Sequence, residues 1–340
     1  MNKILFASTA TAALVIGGMA SAQDSGVALF GDARLGLGYN IANDGGALGD
    51  DPEFEDDVRA VSRVRFGVDM TGTTNSEVTF GATIRADNAQ NGQGSDFGQR
   101  AGNVFVSGSY GTLTFGDTSG ADEQHVGDLP GNFSLTGLGD QNETLFISNG
   151  GDLGSTIDDG SNDFASDPNA RPTVRYDYSL AGFGISASTD RDLEDISVGG
   201  SYTFEFAGNA ITAGVGYLDY AGFLDDESSA FSGGEMFSAA LGGSIAGFDA
   251  KVIYTQANGD GGSDFETLGA GLSGTVADFG VGGYYTKIID ATGAVVESDG
   301  DESYGITATY DLGGGASVNG GIVETYGAST VADFGIKMSF

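Results

Sequence analysis

The most constraining feature of this chain is a strict alternation of apolar and polar residues, repeated in short runs along most of its length. Ala28 to Asn40 shows it first, and Val58 to Met70 repeats it with Arg63 and Arg65 opposite Val64. A period of two places successive side chains on opposite faces of a β-strand. We count sixteen such runs and find no helical layer between them. The chain is therefore predicted to be all-β.

The connections between these runs are of two kinds. Some are short and rich in Gly or Asn, as at Gly72–Asn75, Ala207–Asn209 and Leu312–Gly315, whereas others are long and acidic, as at Asp44–Asp57. Short and long connections roughly alternate along the chain. This order is typical of an antiparallel up-and-down barrel with tight turns at one end and loops at the other.

The first 22 residues have the composition of a secretory signal peptide. Lys3 precedes an apolar stretch from Ile4 to Met19, and Ala20-Ser21-Ala22 provides a cleavage site of small residues. We therefore predict a signal peptide over residues 1–22 and a single barrel domain over residues 23–340.

The alternation alone leaves two architectures open. A soluble β-sandwich also has strands with one apolar and one polar face, but sixteen strands in one meander would then need a second layer to cover them. In a membrane barrel, lipid covers the apolar face and closure pairs every backbone donor and acceptor. Aromatic residues near the strand ends resemble an interfacial girdle. Together with the export signal, these features favour a sixteen-stranded transmembrane barrel, which is wide enough for a water-filled lumen.

The composition narrows the functional classes. The formal net charge is −35, which argues against a nucleic-acid partner, because binding phosphates requires clustered Lys and Arg. No Cys is present, so thiol chemistry is excluded, and a Ser-His-Asp triad would have to use His125, the single His. A hydrolase that uses a pair of carboxylates stays open as a minor alternative.

One long connection, residues 117–170, contains eleven acids and neither Lys nor Arg. It is far too long for a hairpin turn. Most basic residues instead occupy inward positions of the predicted strands, where like charges repel each other unless opposite charges face them. We therefore predict that this loop folds inward and that its acids face the arginines, although an ordinary charged lining is the alternative. The predicted acidic residues are Asp117, Asp122, Glu123 and Asp128, and the predicted basic residues are Arg34, Arg63, Arg65, Arg85, Arg171 and Arg175, with Arg59 also inward.

Several segments resemble the general-diffusion porins of photosynthetic and related Gram-negative α-proteobacteria. They are GDARLGLGYN (31–40), SRVRFGVDMTGTTNSEVTFGATIRA (62–86), GNVFVSGSYGTLTFGD (102–117), YDLGGGASVNGGI (310–322) and VADFGIKMSF (331–340). The resemblance implies a homotrimer of sixteen-stranded barrels in the outer membrane, in contact with lipid and lipopolysaccharide, each with a pore for small hydrophilic solutes.

The same resemblance implies roles for individual residues. The third external loop would narrow each pore to an eyelet, with Arg34, Arg63, Arg65 and Arg85 on the wall. GADEQHVGDL (120–129) matches the first part of that loop, with Glu123 and Asp128 in matching places. The terminal Phe340 resembles the signal that the outer-membrane assembly machinery reads.

Calcium is the cofactor that the acidic loops predict, and no organic cofactor is expected. Calcium takes six to eight oxygen ligands from carboxylates and carbonyls, and the resemblance implies calcium in such loops. A solvated acidic loop is the alternative for every one of these acids. The candidate calcium ligands are Asp122, Asp158, Asp159 and Asp163.

A second function also stays open, an outer-membrane adhesin or receptor with a plugged barrel that binds calcium and a partner.

Overall fold

The computed structural model describes most of the barrel and part of the third long connection. It describes residues 25–41, 58–87, 99–138, 142, 174–190, 193–220, 233–259, 262, 264–292, 301–326 and 329–340. The predicted signal peptide, 1–22, lies outside these residues. Within them, no helix is long and apolar enough to cross a membrane.

Sixteen antiparallel strands form one closed barrel, as the alternation predicted. Each strand pairs with its neighbours in sequence, and the last strand pairs with the first to close the ring. The strands are β1 (Gly26–Tyr39), β2 (Val58–Thr73), β3 (Thr79–Asp87), β4 (Gln99–Gly108), β5 (Gly111–Gly116), β6 (Val174–Leu180), β7 (Phe183–Thr189), β8 (Ile196–Phe206), β9 (Asn209–Tyr220), β10 (Gly234–Ile245), β11 (Phe248–Gly259), β12 (Asp264–Val276), β13 (Phe279–Thr292), β14 (Glu302–Gly313), β15 (Ala316–Glu324) and β16 (Thr330–Ser339).

The outer face of the barrel is apolar. In β1, Leu29, Leu35 and Leu37 are about half exposed, whereas Arg34 between them is buried in the interior. A belt of exposed aliphatic and aromatic side chains continues around the other strands. A soluble sandwich would bury this face. On a closed barrel it is instead the surface that lipid covers, while ring closure satisfies the backbone.

Tight two-residue turns fix the register at one end of the barrel. Ala181-Gly182 and Ala246-Gly247 each have positive φ at both positions, with values of 51° and 86° in the first and 55° and 87° in the second. This is the condition for a type I′ turn, whose twist matches that of the flanking strands. Because a one-residue slip would exchange the inner and outer faces, these turns also determine which side chains point inward.

The third long connection enters the barrel after β5. We call residues 117–138 the inserted segment; it contains one helical turn, α1 (Ala121–Gln124). Its apolar residues Leu129, Leu135 and Leu138 are buried and belong to one cluster with inward-pointing residues of the wall. The alternation pattern did not predict this cluster. The pattern assigns polar residues to the inner face, whereas the wall members of the cluster are apolar residues that point inward. The wall members of the cluster include Leu218, Met236, Ile253, Phe265, Ile288 and Val331.

Candidate functional site: the inserted segment and the wall that holds it

The inserted segment begins against the interior of β7 to β10. Ser188 of β7 is buried and lies on the face opposite the exposed Ile185, so it points inward. Its hydroxyl accepts a hydrogen bond from the amide of Ala121 (2.9 Å), and Ser197 of β8 accepts one from the amide of Asp122 (2.7 Å). These bonds satisfy two amides at the start of α1, which have no partner within the helix itself.

Asp122 completes this attachment. Its carboxylate Oδ1 accepts a hydrogen bond from the hydroxyl of Ser197 (2.7 Å), and its carbonyl accepts one from Ser238 of β10 (3.4 Å). The residue is 0% exposed. Asp122 therefore anchors α1 to the wall and presents no surface to solvent.

His125 extends the contacts of α1. Its Nδ1 lies 2.9 Å from the hydroxyl of Ser201 and its Nε2 lies 2.9 Å from that of Ser186, which in turn donates to Asp177 (2.6 Å). The serine hydroxyl separates the imidazole from the carboxylate here, so this group differs from a triad in which Asp contacts His directly. Burial lowers the pKa of His125, with a smaller opposing effect of Asp177.

The middle of the segment is held through its main chain. Lys251 of β11 donates to the carbonyl of Asp128 (2.9 Å). Thr307 of β14 donates to the carbonyl of Gly131 and accepts from the amide of Phe133 (2.8 Å). Near the entry point, Arg175 of β6 similarly donates to the carbonyl of Ser119 (2.9 Å).

The far end of the segment is held by two buried charges. Asp333 of β16 accepts from the amides of Leu135 (3.0 Å) and Thr136 (2.7 Å) and from the Thr136 hydroxyl (2.7 Å). Arg34 of β1 donates to the carbonyl of Thr136 (2.9 Å). Asp333 is 5% exposed and Arg34 is 3% exposed. Hydrogen bonds of this charge-assisted kind are about twice as strong as neutral ones.

Arg34 is also the centre of a group of cations. Its direct neighbours across the sheet are Arg63 of β2 and Lys337 of β16. We call Arg34, Arg63, Arg65 and Lys337 the basic wall. Arg63 forms an ion pair with Asp32 (2.7 Å), and the electrostatic interactions of Arg34 include those with Arg63, Arg65 and Asp333. Repulsion among these cations is therefore partly offset by acids on the same strands.

Comparison with known proteins identifies the family. Residues 7–331 match the model of the Gram-negative porins. The chain is 31% identical to the porin of Rhodobacter capsulatus, over 92% of this chain and all of that one. The chain belongs to the Gram-negative porin family.

Solved porin structures agree with this assignment. One refined porin structure is 26% identical and superposes with a TM-score of 0.64, covering 92% of this chain and all of that one. A triple mutant of the Rhodopseudomonas blastica porin is 19% identical and superposes with a TM-score of 0.64, over 92% of this chain and all of that one. At this identity the similarity supports the fold alone. This porin thus forms a channel in the outer membrane, and the adhesin or receptor alternative is not favoured.

The residues singled out in the sequence are distributed over several parts of this porin. Arg34, Arg63 and Arg65 lie together on the basic wall. Arg175 lies apart from them on β6, where it pairs with Asp177 (3.0 Å). Of the remaining sequence-predicted arginines, Arg59 and Arg85 are partly exposed on β2 and β3, and Arg171 lies outside the described residues.

The predicted acids also lie in different surroundings. Asp117 and Glu123 are partly exposed and Asp128 is exposed. Glu123 and Asp128 also act electrostatically on Lys251, on a part of the wall distant in sequence from the basic wall. Asp158, Asp159 and Asp163 lie outside the described residues. Phe340 is 67% exposed, and its amide bonds to the carbonyl of Gly31 (2.9 Å).

Two contributors to the site were missed. Lys337 lies beside Arg34 only because β16 closes onto β1. Asp333, on the same strand, binds the far end of the inserted segment. No group of three or more His, Cys, Asp or Glu suited to a metal occurs within the described ranges.

Proposed function

We propose that this porin conducts ions and small hydrophilic solutes passively through an aperture bounded by the inserted segment and the basic wall. The observation that carries the proposal is the attachment of the segment to the interior at both ends and in the middle. A segment held in this way leaves a fixed polar opening beside it. Opposed charges order the water in this opening. An apolar solute would have to displace that water, so passage of apolar solutes is disfavoured.

In this proposal, Asp117, Glu123 and Asp128 supply the negative side of the aperture and the basic wall supplies the positive side. Asp122 instead serves as an anchor, because it is fully enclosed. Arg85 on β3 and Arg175 on β6, which both follow β2 around the barrel, are proposed to act in the lining beyond the basic wall.

The test is conductance in a planar lipid bilayer. We expect the purified porin to produce large, stable steps. Deletion of residues 122–167, with folding retained, should raise both the conductance and the largest solute that passes. Unchanged conductance in the deletion variant would mean that the segment does not limit the aperture, and a folded protein without any conductance would contradict channel function altogether.

We also propose a homotrimer, held in outer-membrane lipid and lipopolysaccharide and delivered by the assembly machinery through Phe340. Support comes from the family assignment and from the position of Phe340 at the exposed end of the closing strand. Insertion of one trimer should give three equal conductance steps. Deletion of Phe340 should reduce the amount of porin that reaches the membrane without changing the conductance of each channel that does.

Calcium binding by Asp158, Asp159 and Asp163 is a further proposal, supported by the number of acids in the third connection. Asp122, the fourth predicted ligand, is fully enclosed against the wall and is assigned the anchoring role instead. An ion that binds only the folded state stabilises it by about 2.7 kcal/mol at a hundredfold excess over its dissociation constant. A chelator should therefore lower the unfolding temperature at low ionic strength. No change under those conditions would remove calcium from the proposal.

A further inference from the structure

Three glycines on β8 and β9 lie directly beneath α1. None of Gly199, Gly214 and Gly216 has a positive φ, so the backbone conformation at these positions does not require glycine. Glycine in a strand also weakens the sheet, because it contributes no packing and loses more conformational freedom on folding. Another property of glycine must therefore explain its use at these positions, and close approach of a second backbone is the usual one.

The second backbone is that of α1. A Cβ atom at Gly199 would lie 1.9 Å from the carbonyl oxygen of Ala121, and one at Gly214 would lie 1.9 Å from the carbonyl oxygen of His125. At Gly216 it would lie 2.2 Å from the carbonyl oxygen of Asp122. Real Cβ atoms essentially never come so close, and main-chain atoms cannot rotate away as a flexible side chain can.

The same relation continues farther along the segment. A Cβ atom at Gly271 of β12 would lie 2.8 Å from the carbonyl oxygen of Pro130, and one at Gly282 of β13 would lie 2.3 Å from the Cα atom of Gly131. Inward glycines on four strands thus form a groove in which the main chain of the segment lies. We call Gly199, Gly214, Gly216, Gly271 and Gly282 the glycine groove.

We propose that Gly199, Gly214 and Gly216 are positioning residues that set the width of the aperture. By lacking side chains, they allow α1 to lie against the wall. A methyl group would move it towards the barrel axis by roughly 1.5 Å before an ordinary contact distance is restored. The rest of the segment would remain attached at Lys251, Thr307 and Asp333, so the helix would shift rather than leave. The inference rests on the proposed function, in which solutes pass beside the segment.

The experiment compares Gly199→Ala and Gly214→Ala with Gly200→Ala. Gly200 is the neighbour of Gly199 in the same strand but belongs to the outer face, and an added Cβ atom would meet nothing closer than 3.4 Å. Conductance of single channels and the exclusion limit for neutral polymers are measured in bilayers. We expect Gly199→Ala and Gly214→Ala to lower both values, and Gly200→Ala to leave both unchanged.

A milder variant protects the test against misfolding. At Gly184 of β7, an added Cβ atom would meet the imidazole of His125 at 2.8 Å, and that ring can move. Gly184→Ala should therefore fold and lower the conductance by less than Gly199→Ala does. If the two stronger variants do not fold, the comparison of Gly184→Ala with Gly200→Ala decides by itself.

The outcomes separate the inference from the proposed function. Wild-type conductance and exclusion limit in every folded variant would overturn the positioning role, as would an equal loss in Gly200→Ala, since that loss would come from the sheet. A folded wild-type porin without conductance would instead overturn the proposed function.

Discussion

The two ends of the inserted segment are attached to the same barrel by different chemistry. At the near end, α1 lies on a surface of glycines and serines, and its amides bond to the neutral hydroxyls of Ser188 and Ser197. At the far end, residues 133–138 are held by the buried charges of Asp333 and Arg34. The near end is thus located mainly by shape, whereas the far end is located by charge-assisted hydrogen bonds.

The two ends nevertheless share one property. At both, and at Lys251 and Thr307 between them, wall side chains bond to the main chain of the segment. Such contacts specify the path of the backbone through its own amides and carbonyls, in addition to the buried side chains of Asp122 and Thr136. Exposed residues of the segment such as Asp128 are thereby available to determine what passes.

The largest effect is expected at the far end, which we call the charged end because Asp333 and Arg34 hold it; the near end is the neutral end. Asp333→Ala would leave the amides of Leu135 and Thr136 buried without their acceptor, at a cost of about 1–3 kcal/mol for each group. We expect a lower unfolding temperature, together with higher and noisier conductance as the far end detaches. Asp333→Asn retains one acceptor oxygen and should be intermediate. Wild-type stability and quiet channels in Asp333→Ala would show that the far end is held by other contacts.

The second prediction concerns ion selectivity, which the charged end should dominate. The chain has 48 acids against 13 Lys and Arg, so the mouth should attract cations, and the basic wall opposes them. We therefore expect weak cation selectivity. At ~0.1 M salt, charges more than about 10 Å from the path are screened, so this selectivity should strengthen as the salt concentration is lowered. Changing both Arg63 and Arg65 to Gln should increase it further.

Reversal potentials under a KCl gradient measure this selectivity. The control is Lys287→Gln, which removes one positive charge from an ion-paired site on β13, beside Asp301 and Glu302, so the shifts are compared per charge removed. We expect a smaller shift from the control. A shift of the double variant towards anions would contradict the proposed role of the basic wall.

The neutral end should respond less than the charged end. Ser197→Ala removes the acceptor of the Asp122 amide and the donor to its carboxylate. The buried Asp122 amide then loses this acceptor, at a cost of about 1–3 kcal/mol. Asp333→Ala removes the acceptor of two amides and one hydroxyl, so we expect a smaller decrease in unfolding temperature in Ser197→Ala than in Asp333→Ala. Thermal unfolding of both variants in the same detergent tests this order, and the reverse order would contradict the contrast between the two ends.

The sequence was sufficient for the barrel because period-two alternation is a local property. It placed Arg34, Arg63 and Arg65 inward without any knowledge of tertiary contacts. It was not sufficient for the attachment of the segment, because Ser197, Gly214 and other residues beneath α1 fit the alternation as ordinary lumen positions. Which strands the segment crosses is a non-local property. For that reason Asp122, predicted to face the arginines, lies buried against β8.

The smallest effect is expected from His125, which lies outside the spanning strands at the neutral end. Burial lowers its pKa in the folded state below the ordinary value of 6.5, although Asp177 opposes this effect and Arg175 adds to it. The unfolded chain therefore binds a proton at a higher pH than the folded porin does. Stability from this site is complete above about pH 6.5 and falls as the pH decreases towards the lowered pKa.

His125→Gln, which keeps a donor and an acceptor for Ser186 and Ser201, should remove this component. We expect the unfolding temperature of the wild type to fall more between pH 7.5 and pH 5.5 than that of His125→Gln. Equal decreases would show that carboxylates elsewhere cause the pH dependence, and a larger decrease in the variant would mean that the pKa of His125 is raised rather than lowered.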